Sequence, residues 1–400
     1  MYKRNIYIDR IRPMLRKPVI KVVSGMRRVG KSYLLRQIIE LLHDEGVPSE
    51  KILYIDKESL DYEHIKTYGD LNREVLAAFS EQDSPCYLFV DEVQEIEEWE
   101  RAIVSLAARG DIDVLISGSN AHLLSSELAT LISGRYIEFP IYSLGFTEHL
   151  TFQGKGVEDR RTEFENFLRY GGMPATYHFK QDEDLIYQYV SSVYNTILLK
   201  DIVKRHSIRN VTLLENIARY LCDNIGNIMS AKSIADYLKA QRLRVGVDTV
   251  QNYLNYFTDA LVAHKVQRYD IRGKRLLEIH EKYYLNDIGI RHALLGYREA
   301  DIGGILENIV FLELKRRGYQ VSIGKIGERE VDFIATRKKE KMYIQVAYLL
   351  ASAETTEREF SVLQSIPDNY PKFVLSLDTF FGEDQAGIQR LNLIDFLLTK

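Results

Sequence analysis

Short runs of consecutive apolar residues recur in the first third of the chain, separated by stretches with helical periodicity. Three runs end at residues 23, 90 and 116, and a fourth covers residues 136–142. Such runs are typical of parallel strands that helices cover on both faces. The pattern predicts an α/β domain with a parallel sheet over residues 1–142.

The loop after the first apolar run carries the most informative motif. It reads Gly25-Met26-Arg27-Arg28-Val29-Gly30-Lys31-Ser32, and a helix-forming segment follows from Tyr33. A G-x-x-x-x-G-K-S pattern between a strand and a helix is a phosphate-binding P-loop, whose glycines let backbone N–H groups turn toward a polyphosphate. Lys31 adds a point charge near the β- and γ-phosphates, and the Ser32 hydroxyl can ligate Mg²⁺. We expect residues 25–33 to bind a nucleoside triphosphate at the positive end of the helix.

Two acids end the second run. Residues 87–90 are apolar and lead directly into Asp91 and Glu92. In open α/β sheets the ligand lies at the carboxyl ends of the strands. Asp91 is therefore expected to hold Mg²⁺, and Glu92 to polarise the attacking water as a general base. The alternative is a strand that runs into a solvated turn, and Lys31 makes the first interpretation the better one.

A polar turn follows the third run, which ends in Ser117-Gly118-Ser119-Asn120. A polar side chain at this point can hydrogen-bond the γ-phosphate or the water. Asn120 is our first choice for this sensor role and Ser119 the second. The alternative is an ordinary turn, because these residue types are common in turns. A helix is predicted over residues 122–132, followed by Arg135 and the strand at 136–142.

This order of parts resembles the AAA+ ATPases: a P-loop, an Asp-Glu strand end, a polar sensor, and an arginine before the fifth strand. Longer phrases resemble the prokaryotic "archaeal ATPase" branch of that superfamily, and the resemblance covers essentially the whole chain. Besides the P-loop, they are Tyr7-Ile8-Asp9-Arg10, Val90-Asp91-Glu92-Val93-Gln94 with Trp99-Glu100, Leu131-Ile132-Ser133-Gly134-Arg135 and Tyr170-Gly171-Gly172-Met173-Pro174.

The resemblance implies roles for two of these phrases. It implies that Arg135 reaches the γ-phosphate of a neighbouring subunit in a homo-oligomer, where a guanidinium stabilises charge on the transferring phosphoryl group. It also implies that residues 170–174 lie near the adenine in a helical lid. From the residues alone, a solvated arginine at a helix C-terminus is an equal alternative for Arg135.

The motifs also discriminate among reactions. The chain contains no Asn-Lys-x-Asp tetrapeptide, which GTPases usually use to read guanine. A small-molecule kinase has less need of Glu92, because its substrate supplies the nucleophile. The sequence therefore predicts ATP hydrolysis with Mg²⁺.

The middle of the chain is predicted to be helical and then mixed. Periodicity indicates a helical lid over residues 143–209. Residues 210–290 have the pattern of three helices and two strands, the outline of a winged helix-turn-helix. The wing is basic and could grip DNA phosphates through Arg268, Arg272, Lys274 and Arg275. A rigid lid, a protein contact surface or a solvated hairpin tip is the alternative.

The predicted C-terminal domain, residues 291–400, is similar to restriction-endonuclease-like nucleases. A helix bearing Glu307 precedes a strand bearing Asp332, where such nucleases bind Mg²⁺. Their E-x-K element is replaced by Gln345-Val346-Ala347, which lacks both the acid and the lysine. We therefore expect a fold kept for binding or dimerisation and not an active nuclease.

Composition limits the cellular compartments and the kinds of partner that are expected. A net charge of −4 argues against a wholly basic nucleic-acid coat. Two cysteines far apart argue against a structural disulfide or zinc site and fit a reducing compartment. No signal core and no run of about 18 apolar residues is present, so a cytoplasmic protein without membrane contact is expected.

Three function hypotheses follow. The first is a Mg²⁺-dependent ATPase that acts as a nucleotide-controlled switch or machine, on DNA or on an unidentified protein partner. The second is an ATP-regulated deoxyribonuclease, or a mobile-element or defence factor, that uses Glu307 and Asp332. The third is a regulatory DNA-binding module with negligible ATP turnover.

Overall fold

The computed structural model describes residues 2–121, 134–379 and 384–399. The chain divides into two compact units, residues 1–141 with 259–261 and residues 142–258 with 262–400. The helix predicted at residues 122–132 lies outside the described residues. None of the described helices is long and apolar enough to cross a membrane.

Five described strands form the sheet of the first unit, in the order β2-β3-β4-β1-β5, and all neighbouring pairs are parallel. They are β1 (Ile20–Ser24), β2 (Ile52–Asp56), β3 (Cys86–Asp91), β4 (Ile112–Gly118) and β5 (Tyr136–Pro140). The helices are α1 (Asn5–Ile11), α2 (Lys31–Asp44), α3 (Tyr68–Ala78) and α4 (Trp99–Ala108). The predicted parallel α/β fold is confirmed.

Continuous burial explains the apolar runs of the first unit. Every residue of β1, β3 and β4 is buried. Because strands in a parallel sheet are covered on both faces, their sequences show no alternation of apolar and polar residues. Leu71, Val75, Ile103 and Leu106 of α3 and α4 belong to the same hydrophobic core as side chains of β3 and β4.

The second unit begins with helices. They are α5 (Phe146–Gln153), α6 (Arg160–Tyr170), α7 (Glu183–Thr196), which continues as a π-helix (Ile197–Lys204), α8 (Val211–Asp223), α9 (Ala231–Ala240) and α10 (Val247–Asp259). A hairpin of β6 (Ala263–Asp270) and β7 (Arg275–Leu285) follows. Helices α8 to α10 and this hairpin lie where the sequence predicts three helices and two strands. Their assignment to a winged helix remains a prediction.

The remaining elements form one sheet with that hairpin. They are α11 (Ile288–Leu295), α12 (Ile302–Arg316), β8 (Gln320–Ile326), β9 (Arg329–Arg337), β10 (Glu340–Val346), α13 (Ala353–Gln364), β11 (Lys372–Ser376), β12 (Ile388–Asn392) and α14 (Leu393–Leu398). The strand order is β12-β11-β10-β9-β8-β6-β7, with β6 parallel to β8. The predicted boundary at residue 290 therefore falls between strands of a single sheet.

The Gly-Gly pair of residues 170–174 has a packing role in the second unit. Gly171 ends α6 with φ 77° and ψ −163°, a region that glycine alone adopts readily. A Cβ on Gly171 would lie 2.4 Å from Asp287 Oδ1, and one on Gly172 would lie 2.3 Å from the Leu144 carbonyl oxygen. The N–H groups of Gly172 and Gly289 each donate to the Asp287 carboxylate at 2.8 Å. These contacts join the end of α6 to the start of α11, and the expected adenine contact remains a prediction.

Candidate nucleotide site

The P-loop connects β1 to α2 with a backbone that depends on its glycines. Gly30 precedes α2 with φ 98°, in the left-handed region. A Cβ on Gly25 would lie 2.5 Å from the carbonyl oxygen of Ile141, so no larger residue fits. The loop ends where the first N–H groups of α2 have no intrahelical acceptor. This arrangement fits a polyphosphate.

Lys31 links the loop to the neighbouring acids. Its Nζ donates to the carbonyl oxygens of Gly25 and Met26 at 3.0 and 3.3 Å, and lies 3.2 Å from Glu92 Oε1. The side chains of Lys31 and Glu92 are only 3% and 8% exposed. A buried ammonium requires such partners, because desolvation without them costs several kcal/mol.

Asp91 ends β3 and is oriented by two hydroxyl groups. Tyr54 on β2 donates to Asp91 Oδ2 at 3.0 Å, and Ser117 on β4 donates to Oδ1. Ser117 Oγ also accepts from the N–H of Glu92 at 3.2 Å. The carboxylate predicted to hold Mg²⁺ is thus fixed from both neighbouring strands, as metal ligands commonly are.

The backbone of Glu92 has a positive φ, and polar groups surround its side chain. Ser119 Oγ donates to Glu92 Oε2 at 3.0 Å, and the Gln94 amide donates to the same oxygen. Burial raises the pKa of Glu92, but Lys31, Gln94 and Arg27 outweigh it and lower the pKa to about 2. Glu92 is therefore ionised throughout the physiological pH range.

The two sensor candidates lie in different surroundings. Ser119 follows β4, the strand between β3 and β1, and its hydroxyl contacts Glu92. Asn120 is the next residue and is buried. Ser119, the second choice, thus contacts the predicted general base, and both sensor roles remain predictions.

Arg135 does not belong to the site of its own subunit. It is exposed immediately before β5, and its carbonyl oxygen accepts from the N–H of Ile20 at 2.8 Å. Because β1 and β5 are parallel, Arg135 lies at the amino edge of the sheet, whereas the P-loop lies at the carboxyl edge. Five residues of strand separate the two edges by about 16 Å. An action of Arg135 on another subunit remains a prediction.

Comparisons with known proteins agree with this geometry. A family model described as an AAA domain matches residues 17–150, and one described as a domain of unknown function matches residues 161–301. An uncharacterized protein of Haemophilus influenzae is 35% identical over 400 residues, which cover 100% of this chain and 99% of that protein. The chain belongs to one family with this protein.

Two further matches extend the comparison. An uncharacterized protein of Methanocaldococcus jannaschii is 31% identical over 358 residues, 86% of this chain and 78% of that protein. The structure of the Walker-type ATPase of Pyrococcus abyssi covers 74% of this chain and 96% of its own, with a TM-score of 0.52 and 15% identity. That last likeness concerns the fold. Residues 17–150 of this family member are an AAA domain.

Several residues of the AAA+ site were missed by sequence reasoning. Tyr54, Ser117 and Gln94 hold the two acids, although none of them belongs to the P-loop or the Asp-Glu pair. Tyr54 stands near the end of an apolar run, as Asp91 does. The neighbouring position of β2 and β3, which brings the two together, cannot be read from the sequence.

The acids predicted in the C-terminal domain surround a lysine. Lys282 on β7 is 3% exposed, and its Nζ lies 3.1 Å from Glu307 Oε2, 2.6 Å from Glu330 Oε1 and 4.0 Å from Asp332 Oδ1. Burial lowers the pKa of Lys282, but the three carboxylates outweigh it and the net shift is upward. Tyr284 also donates to Glu307 Oε2, at 3.0 Å. One internal ammonium ion is therefore the shared counter-ion of three carboxylates.

Gln345 continues this network. Its Oε1 accepts from the N–H of Asp332 at 2.9 Å, and its Nε2 donates to Glu359 Oε2 at 3.0 Å. The N–H of Val346 donates to Asp332 Oδ2 at 2.8 Å. Among the described residues, no group of three or more His, Cys, Asp or Glu side chains is arranged to hold a metal ion.

The predicted basic wing is exposed at its tip. Arg272, Lys274 and Arg275 are exposed in the turn between β6 and β7, whereas Arg268 is half-buried. The sequence reasoning overlooked a second exposed basic group at the end of α9 and just after it, formed by Lys239, Arg242 and Arg244.

We predict that Tyr54→Phe raises the Mg²⁺ concentration needed for half-maximal ATP hydrolysis about 10- to 100-fold, because Asp91 loses an orienting donor. Initial rates measured over a Mg²⁺ series check this, with Tyr62→Phe as the control. An unchanged Mg²⁺ midpoint in Tyr54→Phe would contradict the role of this hydroxyl.

We predict that Lys282→Met lowers the free energy of unfolding by about 3–5 kcal/mol, because three carboxylates lose their buried counter-ion. Urea unfolding followed by circular dichroism measures the loss. Lys239→Met removes an exposed lysine and should change stability by less than about 0.5 kcal/mol. Equal stability of the two variants would show that Lys282 is not a structural counter-ion.

Proposed function

We propose that this protein is a Mg²⁺-dependent ATPase whose nucleotide state controls the arrangement of its C-terminal parts. The observation that carries the proposal is the buried contact between Lys31 and Glu92 beside Asp91. It gathers a phosphate-binding cation, a metal-binding acid and a second acid at one edge of the sheet. This combination suits attack by water on a γ-phosphate.

Each residue then has a defined task. The N–H groups of residues 25–33 and the Lys31 ammonium bind the phosphates, and Ser32 with Asp91 holds Mg²⁺. The metal ion, when bound, neutralises charge on the β- and γ-phosphate oxygens. Glu92 orients the water and accepts its proton, Ser119 fixes the rotamer of Glu92, and Asn120 hydrogen-bonds the γ-phosphate.

Lys31 also regulates the basicity of Glu92. A carboxylate with a pKa of about 2 is a poor proton acceptor, and Lys31 is the principal charge that lowers this pKa. When the ammonium shares its charge with a phosphate, its effect on Glu92 weakens and the basicity of Glu92 rises. The pair thus keeps the general base weak until the substrate is in place.

We further propose DNA as the partner of the second unit. Arg272, Lys274 and Arg275 form an exposed basic tip that suits phosphate contacts. Helix α10 exposes Asp248, Asn252 and Asn255, a surface without cations. Such a distribution favours backbone contacts by the wing over base reading by the helix.

The nuclease alternative is disfavoured on charge. The Lys282 ammonium lies 3.1 Å from Glu307 Oε2 and 2.6 Å from Glu330 Oε1, so Mg²⁺ would have to displace a buried cation to reach these oxygens. Ala347 supplies no cation for the scissile phosphate. We therefore assign the C-terminal domain a binding role.

The ATPase proposal predicts different defects in two variants. Lys31→Ala should abolish MgATP binding in calorimetry, because the buried phosphate cation is lost. Glu92→Gln should bind MgATP but hydrolyse it at least about 100-fold more slowly, which is the contribution of a general base. Glu97→Gln, an exposed acid five residues later, is the control. Hydrolysis at the wild-type rate by Glu92→Gln, or no binding by the wild type, would contradict the proposal.

The DNA proposal predicts a salt-dependent affinity that charge reversal at the wing reduces. Arg272→Glu combined with Arg275→Glu should reduce the magnitude of the slope of log binding constant against log salt concentration by about 2. The reason is that about 0.9 ion is released per phosphate contact, and two contacts are lost. Lys338→Glu with Lys339→Glu changes the same charge in the turn between β9 and β10 and is the matched control.

Equal losses in both double variants would show nonspecific attraction only, and the wing assignment would fail. The same duplexes incubated with Mn²⁺ test cleavage. Nicking by the wild type that Asp332→Ala abolishes would restore the nuclease alternative.

A further inference from the structure

Two adjacent arginines of the P-loop have opposite surroundings. Arg28 has a φ of 69° and is exposed. Arg27 turns inward, and its side chain is only 7% exposed. A guanidinium cannot be deprotonated at physiological pH, so its burial requires charged or polar partners.

The carboxylate that Arg27 contacts lies across the sheet. Arg27 Nη1 donates to Glu58 Oε1 at 3.0 Å. Glu58 follows β2, whereas Arg27 follows β1, and β4 and β3 lie between these strands. At about 4.8 Å between strands, the ends of β1 and β2 are about 14 Å apart. The Arg27–Glu58 pair therefore spans the carboxyl edge over the ends of β4 and β3, where Ser119 and Asp91 lie.

Glu58 is itself loosely held. The side chain of Glu58 is 48% exposed, so its carboxylate is solvated when Arg27 takes another anion as its partner. Glu92, in contrast, is buried and fixed by three neighbours. Arg27 also contributes to the low pKa of Glu92, which places its charge within electrostatic reach of the predicted base.

We propose that Arg27 is a catalytic arginine that binds the γ-phosphate within its own subunit and that Glu58 is its partner in the absence of phosphate. This inference rests on the proposed ATPase function. A phosphoryl group in transfer spreads negative charge over its outer oxygens, and the planar guanidinium can donate to two of them at once. Glu58 then loses its cation, so the segment after β2 detects the γ-phosphate.

Arg135 is not the arginine that serves the site of its own subunit. Arg135 lies at the amino edge of the sheet and cannot reach the P-loop that precedes it in the chain. Arg27 lies at the carboxyl edge together with Lys31 and Glu92. A site that contains its own arginine can hydrolyse ATP without assembly.

The test compares Arg27→Ala, Arg27→Lys and Glu58→Gln in the full-length protein, with the exposed Arg73→Ala as the control. Single-turnover hydrolysis gives the rate, and calorimetry gives MgATP affinity. Arg27→Ala should slow hydrolysis about 1,000-fold, as removal of an arginine finger does, and change affinity less than tenfold. Arg27→Lys should be intermediate. Glu58→Gln should retain the wild-type rate or exceed it, because a neutral amide holds Arg27 less strongly than a carboxylate does.

A structural ion pair would behave differently. In that case Arg27→Ala and Glu58→Gln break the same bond and lose rate equally, which would overturn the inference. A wild-type rate for Arg27→Ala would do so too. A mixture of the Arg27→Ala and Glu92→Gln proteins tests whether Arg27 acts within its own subunit. If both residues serve the same site, every site in the mixture lacks one of them and no activity should return. Recovery of activity in the mixture would show that Arg27 acts on a neighbour.

The outcomes separate this inference from the function on which it rests. Wild-type protein that binds MgATP without hydrolysing it would overturn both. Hydrolysis that depends on Glu92 but not on Arg27 would leave the ATPase proposal standing and remove Arg27 alone.

Discussion

Buried charge at the carboxyl edge of one parallel sheet is the constraint on which the nucleotide site depends. Lys31 and Glu92 are both withdrawn from water and neutralise each other at 3.2 Å. Removing either partner would leave an uncompensated buried ion, which typically costs 3–5 kcal/mol (roughly). The P-loop and the end of β3 are thereby held together, and every other polar group of the site is arranged around that contact.

The same principle recurs in the second unit with a different result. Lys282 of the hairpin is the shared counter-ion of Glu307 and Glu330, while the Val346 N–H donates to Asp332 and the Gln345 amide donates to Glu359. In the AAA+ site the cation belongs to the P-loop, at the first residue of α2, where we propose that it exchanges its partner for a phosphate. In the C-terminal cluster the lysine belongs to strand β7. We therefore propose a binding role for Lys31 and a structural role for Lys282.

Features formed by neighbouring residues could be predicted from the sequence, whereas features formed by residues far apart in the chain could not. The P-loop and the Asp91-Glu92 pair are contiguous, and their chemistry depends on residue type and the adjoining strand, so both could be predicted with the parallel sheet. The partners Tyr54 and Ser117 depend on strand order, which local patterns do not encode. Lys282 precedes Glu307 by 25 residues and has no motif spacing. The sequence shows that the P-loop contains two arginines, but it does not show that the side chain of Arg27 points inward.

The shared sheet of the second unit limits how this protein can be divided. Strand β6 is hydrogen-bonded to β7 on one side and to β8 on the other. If the chain were divided between residues 286 and 319, β6 and β8 would each become an edge strand with unpaired backbone N–H and C=O groups. Such edges can pair with strands of other chains. The hairpin and the C-terminal sheet therefore form one structural unit. Recombination that exchanged one without the other would expose unpaired strand edges and favour aggregation.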